Sequence, residues 1–249
     1  MLTGALVGAS SMTGCSPKAP LHGTAFVIAI DAATTTGGSA KSLESLKRTQ
    51  EVFQRRLAKL GVQSIVQPQE DGRLLIKIPQ LNSRDLTAVR QIITRSGELE
   101  FRLVDPNSDQ DIKSRTIMPG CEVLRYKLRM PDGSERIVEL EVSKRAEMSG
   151  STIKKAMVVR GSLGQPEIHF TLDSQGTKHF AEITRENVHQ RLAIVLDGEL
   201  YSAPLIQTPI ETGSGQITGQ FDIREAFEFA NVLENPLYLP HHIVEERSF

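Results

Sequence analysis

The chain has 249 residues, with 29 lysines and arginines against 30 aspartates and glutamates and a formal net charge of −1. That balance supplies no general field for nucleic acid or an anionic membrane, and 5% aromatic content without tryptophan leaves few stacking platforms for bases or sugars. No run approaches the roughly 20 apolar residues that span a bilayer, so the expectation is a body in water with one large domain or two small ones.

The first twenty residues stand apart. "MLTGALVGASSMTGCSPKAP" places an apolar residue and two small ones, Met12-Thr13-Gly14, ahead of Cys15. This resembles a bacterial lipobox, with Cys15 as the residue to be lipidated and residues 1–20 as signal, lipobox and tether. The segment departs from a complete signal peptide: no Lys or Arg precedes Cys15, and Ser and Thr dilute a short apolar core. The second cysteine, Cys121, opens an expected strand and reads as a half-buried small hydrophobe. Two cysteines so placed predict neither a disulfide framework nor a metal site.

From residue 24, "TAFVIAID" reads as a strand. In "KSLESLKRTQEVFQRRLAKLG", Leu43, Leu46, Phe53, Leu57 and Leu60 form one apolar stripe opposite a Lys/Arg face, and Gly61 stops the helix. "VQSIVQP" and "RLLIKIP" are strands joined through "QEDG". "NSRDLTAVRQIITRSG" is a second helix capped by Asn82/Ser83, and "ELEFRLV" (98–104) a fourth strand. The order predicts an α+β fold whose base, residues 21–104, is a ferredoxin-like β-α-β-β-α-β unit. Residues 105–148 predict a polar connector followed by an inserted hairpin around "PDGS", with Arg125, Lys127 and Arg129 facing Glu139 and Glu141 on a solvated face. Residues 149–235 predict a second α+β module, the head. Its elements are the strand "EIHFTLD", the helix "SQGTKHFAEITREN", a strand pair at 191–203, the strand "GSGQITGQF" and a helix from Asp222 with a capping box to Glu225. "HHIVEERSF" is a last strand, so that 236–249 return to the base. Connections near Asp105–Asp109 and Glu234–Pro240 are expected to let base and head move as two bodies.

Within "RLAIVLDGELYSAPLIQTPI", Asp197 and Gly198 lie between two apolar runs. An Asp-Gly pair there marks a type I′ hairpin turn, which needs positive φ at both positions. Leu192, Ile194 and Leu196 share one face of the first strand while Ala193 and Val195 share the other, so the strand is central and buried. Pro204 cannot donate to a ladder, and the return strand must end at an edge or bulge. No partner acid, base or metal ligand lies near Asp197 in sequence, so it and Gly198 are assigned to the turn. No catalytic residue, cofactor-binding residue or metal ligand is assigned elsewhere. His169, His179 and His189 recur every ten residues without an i+4 partner, and "GSGQITGQ" lacks the lysine of a phosphate loop. No enzyme and no cofactor are expected.

Several segments in order carry a resemblance over residues 21–249. "LHGTAFVIAID", "VFQRRLAKLGV", "LLIKIP", "SGELEFRLV", "PEIHFTLDSQGTKHFAEITREN", "LAIVLDGELYSAPLI", "ITGQFDIREAFEFANVL" and "LPHHIVEER" are similar to the first periplasmic domain, base and head subdomain, of SecD/SecDF protein-export membrane proteins. His22-Gly23 stands where that family has paired glycines, and Ala58 where it has Asn. The resemblance implies an accessory to Sec-dependent translocation on the periplasmic side of a bacterial envelope, binding unfolded secretory polypeptide, with Sec translocase components as partners and no nucleic acid. Proton-driven pulling in that family depends on charged residues in membrane helices; residues 1–249 show no such helix and are not expected to pull by themselves. Contact with the membrane is expected through the Cys15 anchor alone. The alternative is an envelope interaction scaffold that keeps the fold without a translocation role.

Overall fold

The computed structural model describes residues 22–31, 39–130, 134–162 and 164–249; Cys15, most of the loop before the first helix and the Pro-Asp-Gly hairpin tip lie outside them. Strand β1 (Gly23–Ile30) leads to helix α1 (Ser39–Lys59), the paired strands β2 (Ile65–Pro68) and β3 (Leu74–Pro79), and helix α2 (Ser83–Thr94). Strand β4 (Leu99–Leu103) and helix α3 (Ser108–Ser114) precede the hairpin of β5 (Cys121–Arg129) and β6 (Glu135–Ser143). Next come β7 (Met148–Ser149), β8 (Ile153–Arg160), β9 (Pro166–Leu172), helix α4 (Ser174–Glu186), β10 (Leu192–Leu196), β11 (Glu199–Ser202), β12 (Ser214–Ile217), helix α5 (Ile223–Glu234) and β13 (His241–Ser248).

The base is an antiparallel sheet in the order β13-β1-β3-β2. Alternation in β3 sends Leu74, Ile76 and Ile78 inward, where they meet Phe26 and Ile28 of β1, Phe53 and Leu57 of α1, and Val89 and Ile93 of α2. This is the ferredoxin-like arrangement, but its closing strand is β13 and not residues 98–104. Thr24 pairs with Ser248 and Ile30 with His241. The exchange has a physical cause. β13 is largely exposed and carries Glu245, Glu246 and Arg247, a composition suited to a sheet edge. Leu99 and Phe101 of β4 are each only 1% exposed and pair instead with β10, whose five residues are all buried.

The head therefore begins at β4. One of its sheets runs β11-β10-β4-β7 and another β12-β9-β8. Leu192, Ile194 and Leu196 enter the main head core with Phe101, Phe170 and Phe180, while Ala193 and Val195 face a second core with Leu140, Val142 and Leu200. β11 is an edge strand, offset by a register shift opposite Ile194/Val195, and it ends before Pro204.

Five further expectations change. Residues 105–114 are a connector only in part, because α3 forms there and packs on β6, with Ser108 Oγ accepting the Glu141 N–H at 2.7 Å. That packing buries Glu141 completely, so it does not share the solvated face of Arg125 and Glu139, which pair at 2.6 Å. β8 was hidden in the sequence by Lys154 and Lys155, which interrupt alternation at a register shift between Ile153 and Lys155. On α1, Leu43 is 57% exposed while Arg56, read as part of the polar face, is fully buried. The outgoing crossing from base to head consequently lies at 95–98, ahead of the expected Asp105–Asp109, and the return crossing at 235–240.

Candidate functional site

Sheet β12-β9-β8 packs one face into the head core and leaves a groove of about 620 Å³ between it and residues 204–210. The floor is apolar. Phe101, Phe170 and Phe180 form a triangle with ring centroids 5.7, 5.4 and 6.3 Å apart in tilted and edge-on geometries, backed by Leu192 and Ile194. Met157 and Leu205 stand on its walls, 40% and 52% exposed. Gly215 makes the close approach possible: a Cβ there would lie 2.5 Å from Phe170 Cζ. Among the described residues β12 has a neighbour on one side only, so its other edge offers main-chain N–H and C=O groups.

The opposite rim is fixed rather than draped. Leu192 N donates to Pro204 O (2.9 Å), His189 N to Ile206 O (2.8 Å) and Ile206 N to Gln190 O (2.9 Å), while Ile210 N donates to Thr184 Oγ1 on α4 (2.9 Å). The hollow is thus formed before anything enters it, as binding grooves usually are. Polar side chains also line it, among them Lys155, His169, Gln207 and Gln216. His169 Nε2 lies 3.5 Å from Glu167 Oε2 and has no hydrogen-bond partner. No nucleophile–base pair lines the groove among the described residues.

A second hollow of about 930 Å³ separates head from base and shares Met157 with the first. Arg224 of α5 bridges to Asp85 of α2 at 2.8 Å, and Lys59 of α1 pairs with Glu234 of α5. The Arg224 hydrogen bond holds the Asp85 carboxyl below its ordinary range, helped by Asn82. Burial lowers the Lys59 ammonium. Glu228, also lining this hollow, is pushed up by burial, with Asp222 and Glu225 adding and Arg224 and Arg95 opposing.

Both crossings meet on Arg56. Its guanidinium donates to Ile92 O (2.8 Å), Arg95 O (2.5 Å), Ser96 O (2.8 Å) and Asn235 O (2.7 Å). Burial pushes it down to about 9, against support from the Asp197 charge. Asp197 and Gly198 have φ of 50° and 80° between β10 and β11. The Asp197 carboxylate does more than the turn requires: Oδ1 accepts from Ser96 Oγ and from the amides of Gly97 and Glu98, both at 2.9 Å. It ties the head turn to the outgoing crossing and lies apart from the groove. Sequence reading missed the groove; the one local signal was Gly215 inside a strand, where a close approach is the usual cause.

Comparison with known proteins also divides the chain in two, but with β4 on the N-terminal side. A model of the SecDF P1 head subdomain matches residues 123–237, and one of the N-terminal part of the P1 domain of protein translocase subunit SecDF matches residues 46–106. Protein translocase subunit SecD of Magnetococcus marinus is 32% identical over 220 residues, covering 86% of this chain and 42% of the relative. SecDF of Thermus thermophilus is 30% identical over 211 residues, covering 83% and 28%. A crystal structure of SecDF in a super-membrane-facing form superposes with a TM-score of 0.69 at 26% identity, covering 94% of this chain and 32% of that one. A solved chain of SecDF, described as a membrane component that enhances protein export, gives 0.66 at 28% identity, covering 90% of this chain and 99% of that one. The chain thus spans less than half the length of these curated relatives.

Proposed function

The chain belongs to the SecD/SecDF family and carries its P1 domain, and from that premise we propose that it receives unfolded secretory polypeptide on the periplasmic side of the bacterial envelope as an accessory to Sec translocase. The observation that carries this reading is the apolar groove of the head. A floor of three phenylalanines takes side chains, and the open edge of β12 takes main chain, which is how an extended peptide adds to a sheet. Binding of that kind reads little sequence, as handling many clients requires. It is also weak, because an apolar floor gives nothing to lock one partner; a dissociation constant of about micromolar or weaker suits capture with release. Near-neutral net charge makes affinity nearly independent of salt.

The test is titration of an unfolded secretory precursor and its folded mature form against this chain. The precursor binds at about micromolar concentration and the folded form does not. The exposed substitutions Met157→Asp and Leu205→Asp, made together, weaken precursor binding at least tenfold without moving the thermal melt. Equal binding to both forms, or to neither, leaves the envelope-scaffold reading in its place.

A further inference from the structure

Asp105, Cys121 and Glu141 are far apart in sequence and meet at the root of the β5–β6 hairpin, where one carboxylate oxygen, Sγ and a second carboxylate oxygen all lie within 4.8 Å of one another. The main chain holds them there. Asp105 N donates to Glu141 O at 2.9 Å, Lys144 N donates to Gly120 O at 2.8 Å, and Val104 bridges Val142. Glu141 is fully buried; its Oε1 accepts the Met118 N–H at 2.6 Å, whereas its Oε2 has no partner among the described residues. Asp111 Oδ2, on α3, is also buried and without a partner. A buried carboxylate oxygen without a donor is costly, and further negative charge beside it adds to the cost.

We propose that Asp105, Cys121 and Glu141 bind a divalent transition-metal ion, with zinc the ion whose chemistry fits. Three protein ligands of mixed thiolate and carboxylate type leave a fourth tetrahedral position for water. Calcium and magnesium ask for about six or more oxygens and gain nothing from sulfur. Zinc–ligand distances of about 2.0–2.3 Å set tetrahedral ligands about 3.5 Å apart, so the side chains close by about an ångström through rotamer changes. Binding releases the Cys121 thiol proton to solvent, and the thiolate supplies the sulfur ligand. The ion would pin the root of the hairpin to the end of β4. The spacing of the three residues in sequence concealed the cluster, which is why Cys121 read as an inert hydrophobe.

The experiment uses the full chain under reducing conditions, with Co²⁺ and Zn²⁺ as probes. Cobalt gives a thiolate-to-metal band in the near ultraviolet that saturates at one equivalent and is removed by zinc. Zinc at about a hundred times its dissociation constant raises Tm by about 5–10 °C. Cys121→Ser abolishes the band, which also separates Cys121 from Cys15. Glu141→Gln weakens cobalt binding at least tenfold, and the half-buried Asp105→Asn gives the same comparison if Glu141→Gln does not fold. Absence of the band, its survival in Cys121→Ser, or unchanged affinity in the carboxylate variants overturns the site.

Discussion

Replacing Arg56 by methionine sets two large terms against each other. The side chain keeps its volume but loses every donor, so the carbonyls of Ile92, Arg95, Ser96 and Asn235 lose their bonds to the guanidinium. At about 1.5 kcal/mol for each hydrogen bond to a charged group, the gross loss is about 6 kcal/mol. Against it stands the cost of holding the cation out of water. The fall from the ordinary arginine value to about 9, chiefly by burial, corresponds to about 5 kcal/mol at 1.36 kcal/mol per pKa unit. The terms nearly cancel, as they often do when a buried ion gives way to an apolar side chain. The expected net loss is about 1–2 kcal/mol, or about 2–8 °C in Tm. What does not cancel is the local tether. Ser96 O also accepts the Leu237 N–H at 2.7 Å, so the two crossings are joined side by side through the atoms Arg56 holds. Hydrogen exchange of the Gly97, Glu98 and Leu237 amides should therefore quicken about tenfold or more, beyond what the global change accounts for. A melt lowered by more than about 4 kcal/mol, or exchange that rises uniformly across base and head, would refute the reasoning.

Glu228 is raised above the ordinary carboxylate range by burial, so in the window between the unfolded and folded values the native state holds a proton that the unfolded chain releases. Stability then falls as pH rises through that window and stays lower above it; Glu228→Gln should melt higher than wild type at pH 7 and lose that decline, and equal melts at pH 7 count against it. Asp197→Asn keeps an oxygen for Ser96, Gly97 and Glu98 but gives up the charge opposing Arg56, a loss of about 1 kcal/mol. Gly198→Val forces a β-branched residue to φ of 80° and should cost more, about 2 kcal/mol or above; the reverse order in thermal melts rejects the turn assignment. On the proposal that Cys15 carries a lipid anchor, with each buried CH₂ contributing about 0.8 kcal/mol, Cys15→Ser should move the chain from the membrane to the soluble fraction on cell fractionation; wild type already found soluble and without lipid removes the anchor.

Periodicity made most elements readable. The Asn82 and Asp222 caps accept the amides of Asp85 and of Arg224 and Glu225, and the capping box to Glu225 closes as its spacing required. Local pattern does not choose a strand's partner, however, and that is where the reading of 98–104 failed. "ELEFRLV" fits either sheet; the fully apolar run of β10 decided the matter from nearly a hundred residues away. Arg56 was misplaced for a related reason: an arginine three residues after Phe53 reads as solvated unless the carbonyls that receive it, from Ile92 to Asn235, are known. The groove was less legible still. Its floor residues read correctly as core, and only the absence of a side chain at Gly215 and the exposure of Met157 and Leu205 turn core into cavity.

The closing strand of the base has a consequence for the order in which the chain folds during synthesis. Thr24 cannot meet Ser248 until the whole head has been made, whereas β4 to β12 complete their ladders within a contiguous stretch. Closing so long a loop is slow but not thermodynamically prohibitive, since its entropy cost grows only with the logarithm of length. Emerging from the ribosome, β1 therefore carries a bare edge until His241 and the residues after it arrive, and that edge is the place where a neighbouring nascent chain would add by mistake. Gly23 and Phe249 then exchange amide bonds of 3.0 and 3.1 Å at one end of the finished ladder. Tension applied at those two residues would peel β1 from β13 one bond at a time instead of shearing the ladder at once, making this seam the first part of the base to yield.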